Sequence, residues 1–219
     1  RDLGIEKARE YVKNFGFKKE ALQPDLSLAL GTASLSPLLN ASAYSVFANG
    51  GYKVEEHFIV KILDRYGNVV YERASKDKER AIDQRISFII KDILQESAKR
   101  GTAKKLVELK RPDFAGKTGT TNEAESTWFT GFNNSIVVSV WVGFDQPKSL
   151  GNREFGSTTA LPIWMEFISQ NLAGIQKGGT LPPKGIVSVK IDRKTGLRAN
   201  ADSQNAFFEY YLEEYPPKF

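Results

Sequence analysis

The sequence predicts an α+β fold in which helices flank an antiparallel β-sheet. Two segments, Thr127 to Phe132 and Ile136 to Phe144, have strand composition and are joined by Asn133-Asn134-Ser135, residues suited to a hairpin turn. The segment before them, Phe114 to Thr121, reads FAGKTGTT and adds a third strand to this meander. Helical apolar stripes precede and follow these strands and supply helices with a face to pack.

In chain order, Ile5, Ala8, Val12 and Phe15 form one helical stripe that Gly16 stops. Leu26, Leu28 and Leu30 alternate with small or polar residues, which predicts a short extended segment. Ser36-Pro37 is an N-cap followed by a proline at the first helical position, and the helix it opens runs to Gly50-Gly51. His57 to Leu63 and Val69 to Arg73 flank a Tyr66-Gly67-Asn68 turn as a hairpin. The single histidine, His57, has no partner at suitable spacing and reads as structural or solvated. Asp83 caps a helix whose stripe is Ile86, Ile89, Ile90, Ile93 and Leu94, ending at Gly101. Beyond the meander come a polar loop over 145–157, a helix through LPIWMEFISQNL and a strand from Ile186 to Ile191. The predicted organisation is a body over 1–191 and an irregular tail over 192–219 whose aromatic residues favour packing.

Composition narrows the chemistry. The 219 residues are 41% hydrophobic, enough for a sizeable core. There is no cysteine, which removes thiol nucleophiles, disulfides and cysteine metal sites. The net charge of +5 is dispersed among acids without a basic run, which argues against a nucleic-acid partner and for an anionic surface nearby. The best apolar run, Ile136 to Phe144, is interrupted by Ser139 and falls short of the roughly 20 residues a membrane helix needs. The first residues carry no signal-peptide pattern and enter a helix at once, as though the chain begins inside a larger domain.

The chemistry is concentrated in Lys117 to Thr121. Strand geometry puts Thr118 and Thr120 on one face, about 7 Å apart along the strand. Lys117 starts on the other face, with a stem long enough to bring its ammonium round an edge. Gly119 leaves room for another backbone. The stretch could pair with an extended peptide and hold a carboxylate with two hydroxyls beside a positive charge. A phosphate-binding loop is excluded, because Arg111 occupies the position of its first glycine and no helix pattern follows.

Five stretches then carry a resemblance: SLSPLLNASAYSVFANGGY, the RGTA at Arg100 to Ala103, AGKTGTTN, VSVWVGFDQP, and TALPIWMEF. Together, in this order, they resemble the penicillin-binding transpeptidase domain of class A peptidoglycan synthases, a serine β-lactamase/transpeptidase-like fold. That resemblance implies a serine in S-x-x-K, a second serine in S-x-N, and K-T-G. It assigns Lys117 and Thr120 to catalysis, Lys117 through the proton relay and Thr120 through an oxyanion-binding N–H. It assigns Thr118, Gly119, Thr120 and Thr121 to the substrate, the hydroxyls of Thr118 and Thr120 to its carboxylate. It implies peptidoglycan stem peptides and β-lactams as ligands, with no cofactor or metal. The intact protein is expected at the periplasmic face of the inner membrane, with a glycosyltransferase domain and membrane anchor upstream.

The serine motifs do not fit in this sequence. Ser75-Lys76-Asp77-Lys78 lies in a charged link, and Ser169-Gln170-Asn171 and Ser203-Gln204-Asn205 follow Lys117 where the family order places S-x-N before it. The expectation is therefore the C-terminal half of the domain, with the nucleophile in a missing N-terminal half. A second departure is Ser126-Thr127 before Trp128-Phe129, where relatives often have Asp-Ala. Trp128 and Trp141 read as core or groove-wall aromatics. The competing readings are a serine β-lactamase and a non-catalytic peptidoglycan-binding module.

Overall fold

The protein is described by a computed structural model covering residues 2–74, 77–179, 181–200, 203 and 205–218. Helix α1 (Ile5–Val12) tightens into a 3-10 turn over Lys13–Phe15 and stops at Gly16, whose φ of 94° suits a residue without a Cβ. Leu26–Leu30 forms a 3-10 helix and not the expected extended segment. Asp25 caps it by accepting the Ser27 N–H at 2.8 Å, and a local turn satisfies backbone groups that have no neighbouring strand to pair with.

Helix α2 (Pro37–Ala48) begins as predicted, with the Ser36 hydroxyl accepting the Leu39 N–H. Strands β1 (Lys61–Leu63) and β2 (Val69–Glu72) form an exposed antiparallel ribbon around a turn held by the Asp64 carboxylate. Both strands are shorter than predicted.

Helix α3 (Gln84–Arg100) is capped by Asp83. Its buried face is not the isoleucine stripe. Ser87, Phe88, Lys91 and Ala98 are buried, whereas Ile93 is 51% exposed. Polar residues can occupy that face because they are satisfied there: Ser87 donates to the Val46 and Phe47 carbonyls at the end of α2, and Lys91 donates to the Asn134 side chain.

The central sheet has the order β3 (Ala115–Thr120), β4 (Ser126–Phe132), β5 (Val137–Gly143), all antiparallel. Helix α4 (Ala160–Asn171) follows. Its Trp164, fully buried, stands edge-on to Phe114 and Phe129 at centroid distances of 5.2 and 5.3 Å. A Cβ on Gly131 would come within 2.6 Å of that indole, so glycine is what lets α4 settle on the sheet. The expected irregular tail is partly regular: β7 (Ala206–Leu212) pairs antiparallel with β6 (Ile186–Asp192), so a boundary at 191 cuts a strand. Tyr210 of β7 packs against Phe88 of α3 at 5.0 Å, which anchors this second ribbon to the body.

Candidate active site

The residues singled out by the sequence lie along one strand. Lys117 is opposite Thr130, Thr118 opposite Phe129, Gly119 opposite Trp128, and Thr120 opposite Thr127. Alternation places Thr118 and Thr120 on the face of Phe129, which α4 covers, and Lys117 on the face of Thr130, which α2 covers. Within its sheet β3 is a border strand, paired with β4 alone among the described residues. Its root is buried at Phe114, Ala115 and Gly116, and its far end emerges: Lys117, Thr120 and Thr121 are exposed, Thr118 and Gly119 half-buried.

Each side chain has a definite partner. The Lys117 ammonium donates to the Thr118 carbonyl at 2.8 Å. The Thr118 and Thr102 hydroxyl oxygens are 2.6 Å apart. The Thr120 hydroxyl accepts the Gly156 N–H at 3.0 Å, which uses one lone pair and leaves its proton for an acceptor from outside. Gly156 has to be glycine, since a Cβ there would lie 2.4 Å from the Trp128 carbonyl oxygen and 2.6 Å from that of Gly119. Thr121 differs from the others: its hydroxyl accepts the Ser126 N–H and donates to the Ser126 carbonyl, closing the connection between β3 and β4. The Thr121 N–H also donates to Ser126, at 3.1 Å. Successive N–H groups of a strand point to opposite sides, so the Thr120 N–H points away from β4 to the open border.

The strand is held rigidly at its root. Arg111 grips Asp113 through two hydrogen bonds of 2.8 and 2.9 Å, and Asp113 also accepts from the Asn133 amide and the Gly178 N–H. Burial by itself raises the Asp113 carboxyl; Arg111, the Gly178 N–H and Asn133 outweigh it and hold the group well below the usual carboxylate range. The exposed end therefore presents two hydroxyls, a border N–H and an ammonium on a fixed base. That set of donors suits a carboxylate or a developing oxyanion.

The other residues noted in the sequence stand elsewhere. Ser75 and Lys76 of the S-x-x-K match, and Gln204 of one S-x-N match, lie outside the described residues. Ser169 donates to the Glu166 carbonyl within α4, and the Ser203 hydroxyl lies 3.1 Å from Asn200 Oδ1. His57 is exposed beside Arg73, 2.6 Å from its guanidinium. Trp128 and Trp141 are cross-strand neighbours with centroids 6.4 Å apart, Trp128 half-buried and Trp141 38% exposed, so they form a wall and not a core. Sequence reasoning missed Thr102, Gly156 and Asn40. Thr102 and Asn40 lie inside two of the stretches that carried the resemblance, RGTA and SLSPLLNASAYSVFANGGY, without a role being read for either; Gly156 is brought in by a tertiary contact without a local signal.

The comparisons with known proteins bear on the family and the fold. The penicillin binding protein transpeptidase domain family matches residues 1–168. Penicillin-binding protein 1A of Pseudomonas aeruginosa is 39% identical over 264 aligned positions, covering 98% of this chain and 32% of that protein. Its counterpart in Neisseria gonorrhoeae is 44% identical over 190 positions, covering 85% and 24%. The crystal structure of penicillin-binding protein 1A from Haemophilus influenzae superposes with a TM-score of 0.88 at 30% identity, over 99% of this chain and 38% of that one. The chain spans about a quarter to a third of the length of the curated relatives it matches. With a match over 168 of its 219 residues and a shared fold, this chain belongs to the family of penicillin-binding protein transpeptidase domains.

Proposed function

We propose that this chain supplies the K-T-G side of a peptidoglycan D,D-transpeptidase that works through a serine acyl-enzyme and is acylated by β-lactams. The observation that carries the reading is the exposed border end of β3, where Thr120 keeps a free proton and directs its N–H outward. The nucleophilic serine belongs to a part of the domain outside these residues. Its oxygen attacks the penultimate D-alanine carbonyl, the bond to the terminal D-alanine breaks, and the serine proton reaches the departing amine. An acceptor amine then takes the acyl group and releases the serine. Thr118 and Thr120 hold the terminal carboxylate, the Thr120 N–H receives the oxyanion, and Lys117 orients the proton relay. On the same reading the protein acts at the periplasmic face of the inner membrane, with its anchor and a glycosyltransferase domain elsewhere in the protein; no described helix here is long and apolar enough to cross a membrane.

Labelling of the full-length protein with a fluorescent penicillin tests this. A long-lived adduct is expected, which a β-lactamase would not leave. Lys117→Ala should slow its formation by roughly 10²–10⁴-fold. Labelling at an unchanged rate in that variant would reject the assignment, and label on these 219 residues alone would reject an external nucleophile.

A further inference from the structure

We infer that Thr102, in the Arg100-Gly101-Thr102-Ala103 turn, is a positioning residue that makes the Thr118 hydroxyl a donor to the substrate carboxylate. The inference rests on the function proposed above and names a part for a stretch to which that function gives none.

The two hydroxyl oxygens are 2.6 Å apart, a firm hydrogen bond in which either group can be the donor. A hydroxyl has one proton and two lone pairs. If Thr118 is to give its proton to a carboxylate, its bond with Thr102 survives only when Thr102 donates. The Thr102 proton then fills an acceptor position on Thr118 and leaves the Thr118 proton pointing at the ligand. Donation into Thr118 also polarises it, which strengthens the bond it makes to an anion. Thr120 is arranged in the same sense, with the Gly156 N–H filling its acceptor position. The two threonines thus share one design, each receiving a hydrogen bond from the protein and passing its own proton outward.

Thr102 is held in place for this. It follows α3, and a Cβ on Gly101 would stand 2.8 Å from the Ser97 carbonyl oxygen, so the helix can end tightly only with glycine there. On its other side Ala103 is fully buried in the core that contains Phe129 and Trp164. Thr102 itself is exposed at the rim of the strand. Arg100 points to a different task, an exposed ion pair with Glu96 at 3.1 Å.

The test compares acylation of the full-length protein by penicillin G, which has a free carboxylate, with acylation by its methyl ester. Thr102→Val should reduce the acid-to-ester selectivity by about three- to tenfold, the worth of one hydrogen bond, through the penicillin G rate alone. Thr102→Ser should restore it. An equal loss for acid and ester in both Thr102→Val and Thr102→Ala would show a merely structural role and overturn the inference, as would unchanged selectivity. If the unsubstituted protein takes up neither compound, the transpeptidase reading fails and this inference with it; normal uptake with unaltered selectivity in the variants overturns the inference alone.

Discussion

The side-chain amide of Asn40, in the first turn of α2, donates to the Thr130 hydroxyl at 2.8 Å and to the Ser139 hydroxyl at 3.1 Å. Thr130 is the residue directly opposite Lys117, and it also bonds Ser139 at 2.9 Å, so three polar side chains lock a helix to the row that carries the lysine. Asn40→Ala should lower stability by about 1–2 kcal/mol, read as a shift in the urea midpoint at constant slope. In a Thr130→Ala, Ser139→Ala background the same change should cost much less, because no orphaned hydroxyl remains. Additive losses would mean the three side chains do not act as a unit.

A larger effect is expected at Asp113. Its side chain and that of Arg111 are 8% and 7% exposed, so Asp113→Ala strands a buried guanidinium and should cost about 3–5 kcal/mol. The folded carboxyl titrates below its unfolded value. Its contribution is therefore complete above about pH 4, the unfolded range, and is lost as pH falls through the folded value. Asp113→Asn should lack that part of the acid limb in a stability–pH profile; an unchanged limb would assign it to other groups.

Asp92 has the opposite sign. Burial first, then the charge of Glu209 and a hydrogen bond with it, raise its carboxyl to about 6. Between the unfolded value near 4 and the folded value the native state binds the proton more tightly, so stability is lost as pH rises across that window. Asp92→Asn should flatten the melting temperature between pH 4 and 6 and raise it at neutral pH. A variant that melts lower than the parent at pH 7 would contradict this.

Thr127 is fully buried, and among the described residues its hydroxyl is without a hydrogen-bond partner. An orphaned hydroxyl costs about 1–3 kcal/mol, so the near-isosteric Thr127→Val should raise the melting temperature. A fall would reveal a partner for that oxygen.

What the sequence disclosed, and what it hid, follows from the range of each interaction. The meander was legible because Asn133-Asn134-Ser135 encodes its turn locally, and α2 and α3 because Ser36 and Asp83 cap them. The buried face of α3 was not, since Ser87 and Lys91 are buried through bonds to residues over 40 positions away. Strand β7 escaped because Phe207, Phe208, Tyr210 and Tyr211 put aromatics on both faces and erase the alternation that marks a half-buried strand. Within the candidate site, the threonines were readable from strand period alone. Gly156 was not, because it arrives from the approach to α4, and although RGTA marked Thr102, its contact with Thr118 across 16 positions left no local signal.

The border position of β3 also bears on how the protein behaves when concentrated. Unpaired main-chain groups along such an edge invite the same edge of another copy, which is how soluble sheets begin to aggregate. An exposed Lys117 brings like charges together when such a pairing centres near it and so discourages it. The ammonium at the exposed end of β3 is thus also a guard on solubility, and a neutral residue there should leave the protein more prone to self-association.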